Sequence, residues 1–176
     1  AGWRDSIGGC LKAEGSICHV APRGKGCYAA HSADTIPALW LYGASVELAS
    51  QAGTRQVAVS DLFAEDGRTW LKIQPGEILT RILLPPATSP VAHRKLRIRG
   101  AIDYGLLLVA VQRTGTGARA VLSALGPQPV VISTEQAEDL PQAAYKAARP
   151  LNTHAIASVW RKQMVRVEVR RALESI

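Results

Sequence analysis

The chain is poor in aromatic residues and has no long apolar run. Aromatic residues make up 5% of its 176 residues, with one Phe and one Met, so we expect an aliphatic core. No segment approaches the roughly 18–20 apolar residues that span a membrane, and the first ten residues lack the apolar stretch of a secretory signal. The chain also lacks an initiating Met. We expect it to be a processed product or part of a longer polypeptide that does not bind membranes.

The common sequence signatures of catalytic sites are also missing. The chain has no G-x-G-x-x-G or Walker A motif, no G-x-S-x-G elbow and no H-E-x-x-H pair. The acidic residues Asp61, Glu65 and Asp66 are close together, but the pattern around them is typical of a solvated loop. The sequence therefore predicts no catalytic residue in this chain.

Cysteine is scarce and confined to one segment near the start, at Cys10, Cys18 and Cys27. Three clustered cysteines do not make the disulfide framework of a secreted protein, which favours a reducing cytoplasm. The segment is rich in Gly, Lys and Arg and cannot form its own core, so convergent thiolates on a metal or cluster would hold it. The spacing alone leaves open incidental cysteines, an iron–sulfur site, or a zinc site that His19 or His31 would complete.

The chain is basic, with 21 Lys and Arg against 14 Asp and Glu and a formal net charge of +7. The charges are dispersed, with local concentrations at Arg94–Arg99 and Arg161–Arg171, and aromatic residues do not alternate with them. This pattern disfavours nucleic-acid binding. The charge is compatible with an acidic partner, a nucleotide or a neighbouring subunit.

The first half of the chain reads as loop, helix and strands. Residues 1 to about 30 have little periodicity, with at most a short helix around Trp3–Ile7. Asp34–Tyr42 predicts a short helix with a Pro in its first turn. Alternation over Ala44–Ala49 and Gln56–Val59 predicts a β-hairpin. The apolar run Ile78–Leu84 predicts a buried strand that ends at two prolines.

A second unit follows the linker PPATSP at residues 85–90. Lys95–Arg99, Leu106–Gln112 and Ala118–Leu125 predict strands, of which the second is central and pairs with the third across a Gly-rich turn. We therefore predict an α+β fold, in which the tail of one subdomain precedes a small three-stranded antiparallel sheet with helices on one face.

The end of the chain is predicted to be helical. Thr134–Leu140 and Gln142–Ala148 predict short helices split by Pro141, and a longer helix over 155–173 would be capped by Asn152 or Thr153. The apolar stripe predicted to face the core consists of Ile156, Trp160, Met164 and Val167.

Taken together, these segments resemble the flavin-carrying subunit of the molybdenum hydroxylase family, which includes xanthine dehydrogenases and carbon monoxide dehydrogenases. The resemblance rests on HSADTIPALWLYGASVEL, GTRQVAVSDLF and DGRTWLKIQPGEILTRILLPP, and on RKLRIRGAIDYGLLLVAV for the C-terminal domain. The cysteine segment GGCLKAEGSICHVAPRGKGCYAA resembles an inserted iron–sulfur loop in the β subunits of 4-hydroxybenzoyl-CoA reductases. The final NTHAIASVWRKQMVRVEVRRALE is similar to the tail of those subunits.

The resemblance implies three regions. Residues 1–30 would be an incomplete iron–sulfur loop, 31–87 the C-terminal part of the FAD-binding subdomain, and 91–176 the flavoprotein C-terminal domain. Cys10, Cys18 and Cys27 would be ligands of a 4Fe–4S cluster whose fourth cysteine lies upstream in the family and is not in this chain.

The resemblance also implies a flavin site. Asp34 matches a family position that contacts FAD, and Lys95 matches a family lysine near the flavin. Ile78 or Leu79, in the Gly-Glu-Ile-Leu step, would touch the isoalloxazine ring. The Gly-rich segments that wrap the flavin pyrophosphate lie upstream in the family, so we do not expect this chain to turn over substrate alone.

The implied function is electron transfer within a multi-subunit oxidoreductase. The parent reaction would be the reductive removal of a phenolic hydroxyl from 4-hydroxybenzoyl-CoA, giving benzoyl-CoA in anaerobic aromatic degradation. A large subunit would hold the molybdenum cofactor, a small subunit the 2Fe–2S clusters, and ferredoxin would be the electron donor. The alternatives are an ordinary molybdenum hydroxylase FAD subunit with a vestigial loop, and a non-enzymatic interaction module stabilised by zinc.

Overall fold

The computed structural model describes residues 5–152 and 156–176. The start of the helix predicted around Trp3–Ile7, the cap predicted at Thr153 and the start of the last predicted helix therefore lie outside the described residues. The helices and strands, in chain order, are α1 (Ile36–Leu41), β1 (Ser45–Ser50), β2 (Gly53–Ala58), β3 (Ile78–Leu83), β4 (Val91–Leu96), β5 (Leu107–Thr114), β6 (Gly117–Ser123), β7 (Val130–Thr134), α2 (Leu140–Ala147) and α3 (Ser158–Leu173). None of the described helices is both long and apolar enough to cross a membrane.

The first half forms a three-stranded antiparallel sheet in the order β2-β1-β3. The predicted hairpin is confirmed, and β1 becomes the central strand because β3 pairs with its other edge. Val46 and Leu48 point into a small core with Val59, Leu62 and Phe63. The prediction that β3 is a buried strand is wrong, because all six of its residues are exposed. An apolar run identifies a strand, but it does not say whether another layer covers the strand.

The second half forms a four-stranded antiparallel sheet in the order β4-β5-β6-β7. The prediction of three strands is therefore corrected. Residues 130–134 add β7 at one edge, and only a single 3-10 turn, Ala137–Asp139, stands where a helix was predicted over Thr134–Leu140. The first strand of this sheet also begins earlier than predicted, at Val91, and ends at Leu96. The alternation of Arg and Ile at residues 97–99 is typical of a strand, but these residues lie in the loop after β4.

Both faces of the second sheet are covered. The helices α2 and α3 pack on one face, against Leu107, Val109 and Leu122. The helix α1, from the first half, packs on the other face, where Leu41 meets Ala110 and Val121. This is why β5 is buried along six consecutive residues, of which the first five form a continuous apolar run. The prediction of helices on one face is therefore incomplete.

The last helix turns a different face inward from the one predicted. Its buried residues are Arg161, Val165, Glu168, Val169, Ala172 and Leu173. Trp160, from the predicted apolar stripe, is 44% exposed. The predicted cap at Asn152 is wrong in position, because the N-cap of α3 is Ala157, although the Asn152 Oδ1 accepts the backbone N–H of Ser158 at 3.1 Å. The predicted apolar stripe was wrong because it left out two charged residues, Arg161 and Glu168, whose side chains are buried. Arg161 can be buried because it is hydrogen-bonded, and Glu168 because it is ion-paired.

Candidate functional site

Asp34 and Lys95, both predicted to contact the flavin, form an ion pair. The Lys95 Nζ lies 2.6 Å from the Asp34 Oδ2, although the two residues are separated by about sixty positions in sequence. Asp34 stands just before α1, and Lys95 lies on β4 at the edge of the second sheet. The pair therefore joins the two halves of the chain at one point.

Open clefts meet at this ion pair. One, of about 360 Å³, is lined by Asp34 and Lys95 together with Ser32, Arg99, Ile102, Asp103 and Tyr104. The next, of about 320 Å³, has a largely apolar wall formed by Ala38, Leu39, Tyr42 and Leu84, and shares Asp34 with the first. A carboxylate and an ammonium group beside an apolar wall fit a ligand that has both a polar and a planar apolar part.

A third cleft, of about 560 Å³, adjoins the first and shares Ser32 and Tyr104 with it. Trp70 and His31 form part of its wall, and Lys12 reaches it from the cysteine segment. The cysteine segment and the Asp34–Lys95 pair therefore border connected open space.

Ile78 and Leu79 do not join the Asp34–Lys95 pair. They lie at the start of β3, opposite Ala49 and Leu48 of β1, and their side chains are 69% and 41% exposed. Leu84, which lines the apolar cleft, is five residues further along, roughly 17 Å at the rise of an extended chain. The proposed contacts of Ile78 and Leu79 with the flavin stay a prediction.

Cys18 has the environment of a thiolate. Burial raises the pKa of the Cys18 thiol, but backbone N–H groups of Tyr28, Ala21 and Val20 donate hydrogen bonds to its sulfur and bring the pKa below its ordinary value. Hydrogen bonds to a charged form stabilise it. The sulfur is thereby prepared to act as a ligand or nucleophile.

Cys27 is buried and fixed to the first half of the chain. Its N–H lies 3.4 Å from the Asp66 Oδ1, and its carbonyl accepts the N–H of Gly67 at 2.8 Å. Arg68 donates to both oxygens of Asp66 and holds the pKa of that carboxyl well below its usual range. Asp66, which the sequence suggested was only a solvated loop residue, therefore anchors the end of the cysteine segment.

The turn after Cys10 is tight. The Cys10 carbonyl accepts the N–H groups of Ala13 and Gly15, and a Cβ on Gly15 would come within 2.5 Å of the Cys10 nitrogen. Only glycine fits there. The Nε2–H of His19 donates to the Gly9 carbonyl, 2.6 Å away, so this contact and the backbone turns hold the segment.

The described residues do not bring the three cysteines together as a metal site. All three cysteines are free thiols, and Cys18 and Cys27 are buried. Within residues 5–152 and 156–176, no group of three or more His, Cys, Asp or Glu side chains could hold one metal ion. This disfavours a zinc site completed by His19 or His31. The assignment of Cys10, Cys18 and Cys27 as ligands of a 4Fe–4S cluster stays a prediction.

His31 is a residue whose importance the sequence did not indicate. Its N–H donates to the Gly126 carbonyl at 2.8 Å, and its carbonyl accepts the N–H of Ala124 at 2.9 Å, at the end of β6. Its ring lies 4.8 Å from the Phe63 ring and 5.2 Å from the Trp70 ring in the first half. His31 therefore holds both halves together three residues before Asp34. Its position directly before Ser-Ala-Asp was the one available signal.

Comparison with known proteins finds a family match in the first half of the chain. Residues 4–87 match the family described as FAD binding domain in molybdopterin dehydrogenase. The predicted resemblance to flavin-carrying proteins of molybdenum enzymes is confirmed for this stretch. The closer resemblance to 4-hydroxybenzoyl-CoA reductases stays a prediction.

Relatives of known structure and sequence extend this result to the fold. The chain is 37% identical over 86 residues to the carbon monoxide dehydrogenase medium chain of Afipia carboxidovorans, an alignment that covers 48% of this chain and 29% of the relative. The carbon monoxide dehydrogenase of Hydrogenophaga pseudoflava that lacks the Mo-pyranopterin moiety of its cofactor superposes with a TM-score of 0.70 at 18% identity, covering 90% of this chain and 63% of that one.

A further structure, the Cu,Mo-CO dehydrogenase in its cyanide-inactivated form, gives a TM-score of 0.65 at 27% identity, covering 80% of this chain and 55% of that one. The α+β fold with its antiparallel sheets is thus shared with chains of these enzymes. The chain spans less than two thirds of the length of each of these relatives.

The matched FAD-binding domain contains most, but not all, of the site. Asp34, Ile78, Leu79 and the three cysteines lie within residues 4–87. Lys95 lies beyond that range, on the second sheet. The ion pair therefore connects the matched domain to the unit that follows it.

Proposed function

We propose that this chain is part of the FAD-binding, electron-transferring subunit of a molybdenum-containing oxidoreductase. The family match of residues 4–87 supports FAD as the cofactor, and the likeness to a carbon monoxide dehydrogenase medium chain supports a multi-subunit enzyme. The observation that carries the proposal is the Asp34–Lys95 pair at the meeting point of two open clefts. The proposed regions are 1–30, 31–87 and 91–176.

The site fits a flavin in its chemistry. Bound FAD exchanges one or two electrons, and the protein's part is to bind and orient it. The Asp34 Oδ2 accepts from Lys95, whereas its Oδ1 has no hydrogen-bond partner among the described residues and can accept an N–H or hydroxyl of the cofactor. The ammonium group of Lys95 offsets negative charge on a nucleotide. Leu39 and Leu84 form an apolar wall that would exclude water from one side.

Titration of the chain with FAD tests these roles. Asp34→Ala and Lys95→Ala should each weaken FAD binding about tenfold, measured by quenching of flavin fluorescence, because each removes a charge-assisted hydrogen bond worth roughly 1.5–3 kcal/mol. Arg81→Ala is the matched control, since Arg81 is paired with Glu47 at 3.6 Å on β3, away from the clefts. Unchanged affinity in both site variants would show that the assignment of Asp34 and Lys95 is wrong.

The partner subunits belong to the same proposal. A subunit with the molybdenum cofactor and a subunit with 2Fe–2S clusters would exchange electrons with the FAD. The likeness to a protein named a medium chain, and to a Cu,Mo enzyme, supports this assembly. Affinity purification of the native complex through this chain should recover molybdenum and iron with FAD, and recovery of FAD alone would argue against it.

The cysteine segment supports a second, narrower proposal. Cys10, Cys18 and Cys27 would supply three of the four thiolates of a 4Fe–4S cluster, as in 4-hydroxybenzoyl-CoA reductases, with the fourth from outside this chain. The low pKa of the Cys18 thiol and the burial of Cys27 favour it. The enzyme would then remove the phenolic hydroxyl of 4-hydroxybenzoyl-CoA reductively, with ferredoxin as donor. An ordinary flavin subunit with a vestigial loop is the competing candidate.

Metal analysis separates these candidates. Protein purified without oxygen and reconstituted with iron and sulfide should show broad visible absorbance, with iron and sulfide in equal amounts. Cys18→Ser should remove most of it, while Ser16→Ala, in the same segment, should not. A colourless, iron-free protein would favour the vestigial loop, and stoichiometric zinc would favour the interaction module. Neither result would affect the FAD titration.

A further inference from the structure

The outer surface of α2 and α3 carries four cations that form no ion pair with the acidic residues described by the structure. Lys146 and Arg149 lie at the end of α2, and Lys162 and Arg166 lie on α3. The ion pairs formed by the described residues involve none of these four. We call these side chains, together with Tyr145, the α2–α3 face.

The acidic side chain within α3 is turned inward. Glu168 of α3 is buried, and its carboxylate is taken by Arg94 at 2.5 Å and Arg171 at 2.8 Å. The remaining acid near the end of α3, Glu174, lines a separate groove with Arg170 and Glu138. The charge of the α2–α3 face is therefore not neutralised within the described chain.

Tyr145 holds two of the cations in place. The Lys162 Nζ lies 5.0 Å from the centroid of its ring, and the Arg166 Cζ lies 5.6 Å from the same centroid. Both distances are within the range of a cation–π interaction. Two flexible side chains are thus partly ordered before any partner arrives, which lowers the entropic cost of binding.

The other end of the face is also preorganised. The Arg149 guanidinium donates to the carbonyls of Lys146 and Ala148 at the end of α2. A groove of about 180 Å³ separates Arg149 from Lys162, and Val159, 72% exposed, forms part of its wall. A small apolar centre within a charged rim is the usual composition of a protein interface, in which Tyr and Arg are enriched.

We propose that the α2–α3 face is a docking surface for a protein whose contact area is rich in Asp and Glu. A protein fits better than a nucleic acid, because single-stranded binding uses exposed aromatic rings for base stacking and the Tyr145 ring is occupied by two cations. This inference goes beyond the proposed function and does not depend on FAD binding. The four cations of this face account for part of the formal net charge of +7.

The test uses an oligoglutamate peptide as the probe, with binding to the full chain measured by fluorescence anisotropy at low salt. Lys162→Glu/Arg166→Glu should weaken binding about tenfold or more. Lys72→Glu/Arg81→Glu alters the net charge equally on the first half of the chain, where both residues are exposed, and should have less than a twofold effect. Equal losses in the two double variants would show that only net charge matters and would overturn the proposal.

A variant without charge change tests the preorganisation. Tyr145→Ala removes the ring but leaves every cation, and should weaken peptide binding about two- to fivefold, as expected for exposed cation–π contacts. Tyr145→Phe keeps the ring and should bind like the unchanged protein. Tighter binding of single-stranded DNA or of phosphatidylglycerol vesicles than of the peptide would overturn the choice of an acidic protein.

Discussion

The two sheets of this chain differ in how they are covered. In the second sheet, β5 is buried along Leu107–Val111 because helices lie on both faces. In the first sheet, every residue of β3 is exposed, and the core beneath β1 is small. The ion pair and the clefts lie where the two units meet, and the proposed flavin and cysteine residues, Lys95 excepted, belong to the less covered half.

We therefore expect the second half to supply most of the stability of the chain, and the first half to supply most of the proposed binding residues. A sheet with two covered faces can hold its edge strand β4, and with it Lys95, in a fixed position. The open sheet leaves apolar side chains such as Ile78 and Ile82 in solvent, where they add little to the stability of this chain. Substitutions in the two halves should therefore have very different effects on unfolding.

The largest effect is expected at Arg161, which is fully buried in the second half. Its guanidinium donates hydrogen bonds to the carbonyls of Leu106, Ala124 and Leu151, at 2.6–3.1 Å. Arg161→Ala should lower the free energy of unfolding by about 4 kcal/mol in urea titrations. Each buried carbonyl left without a donor costs roughly 1–3 kcal/mol, and the relief of a buried charge offsets part of the sum.

Arg166→Ala, on the same helix but outward-facing, is the matched control and should change stability by no more than about 0.5 kcal/mol. If the two variants unfold alike, Arg161 does not hold the ends of β5 and β6, and the second half is not the more strongly built unit.

A direct comparison of the halves follows from two apolar residues. Leu122 on β6 is fully buried and Ile82 on β3 is 50% exposed. Leu122→Ala should cost about 3 kcal/mol, because a cavity remains in a close-packed core. Ile82→Ala should cost less than about 1 kcal/mol. The measurement is the midpoint of urea unfolding, compared at an unchanged dependence of the free energy of unfolding on urea concentration. Similar losses of stability in the two variants would contradict the picture of one covered and one open sheet.

The local sequence pattern predicted most of the helices and strands, but not which faces of the sheets are covered by other parts of the chain. The hairpin β1–β2, the central strand β5 and the helix around Ile36–Leu41 follow from alternation, apolar runs and a proline in the first turn. The edge strand β7 was missed although its sequence, VVIST, is rich in the β-branched residues that favour a strand. The exposure of β3 and the second covered face of β5 depend on contacts between distant segments, which periodicity does not encode.

The site was predictable only in part, for the same reason. Asp34 and Lys95 were predicted separately from a resemblance, and their 2.6 Å contact appears only when the two halves pack. Arg161 and Glu168 broke the apolar stripe of α3, because a buried charge with partners looks like a surface residue in sequence. Asp66 looked like a loop acid, and its bond to Cys27 spans 39 positions.

The smallest effect concerns His31, where the halves meet. Burial lowers the pKa of the His31 imidazole below its ordinary value of 6.5. The unfolded chain then binds a proton at a higher pH than the folded chain does. Stability should therefore fall as the pH drops below about 6.5, and the loss should be complete below the folded pKa.

His31→Phe should flatten this part of the pH profile, since a phenyl ring can still pack between Phe63 and Trp70 but does not titrate. The exposed His93→Gln is the control and should leave the profile unchanged. Urea unfolding of the three proteins from pH 8 to pH 5 makes the comparison. An unaltered acid limb in His31→Phe would mean that the contact between the halves does not carry the pH dependence.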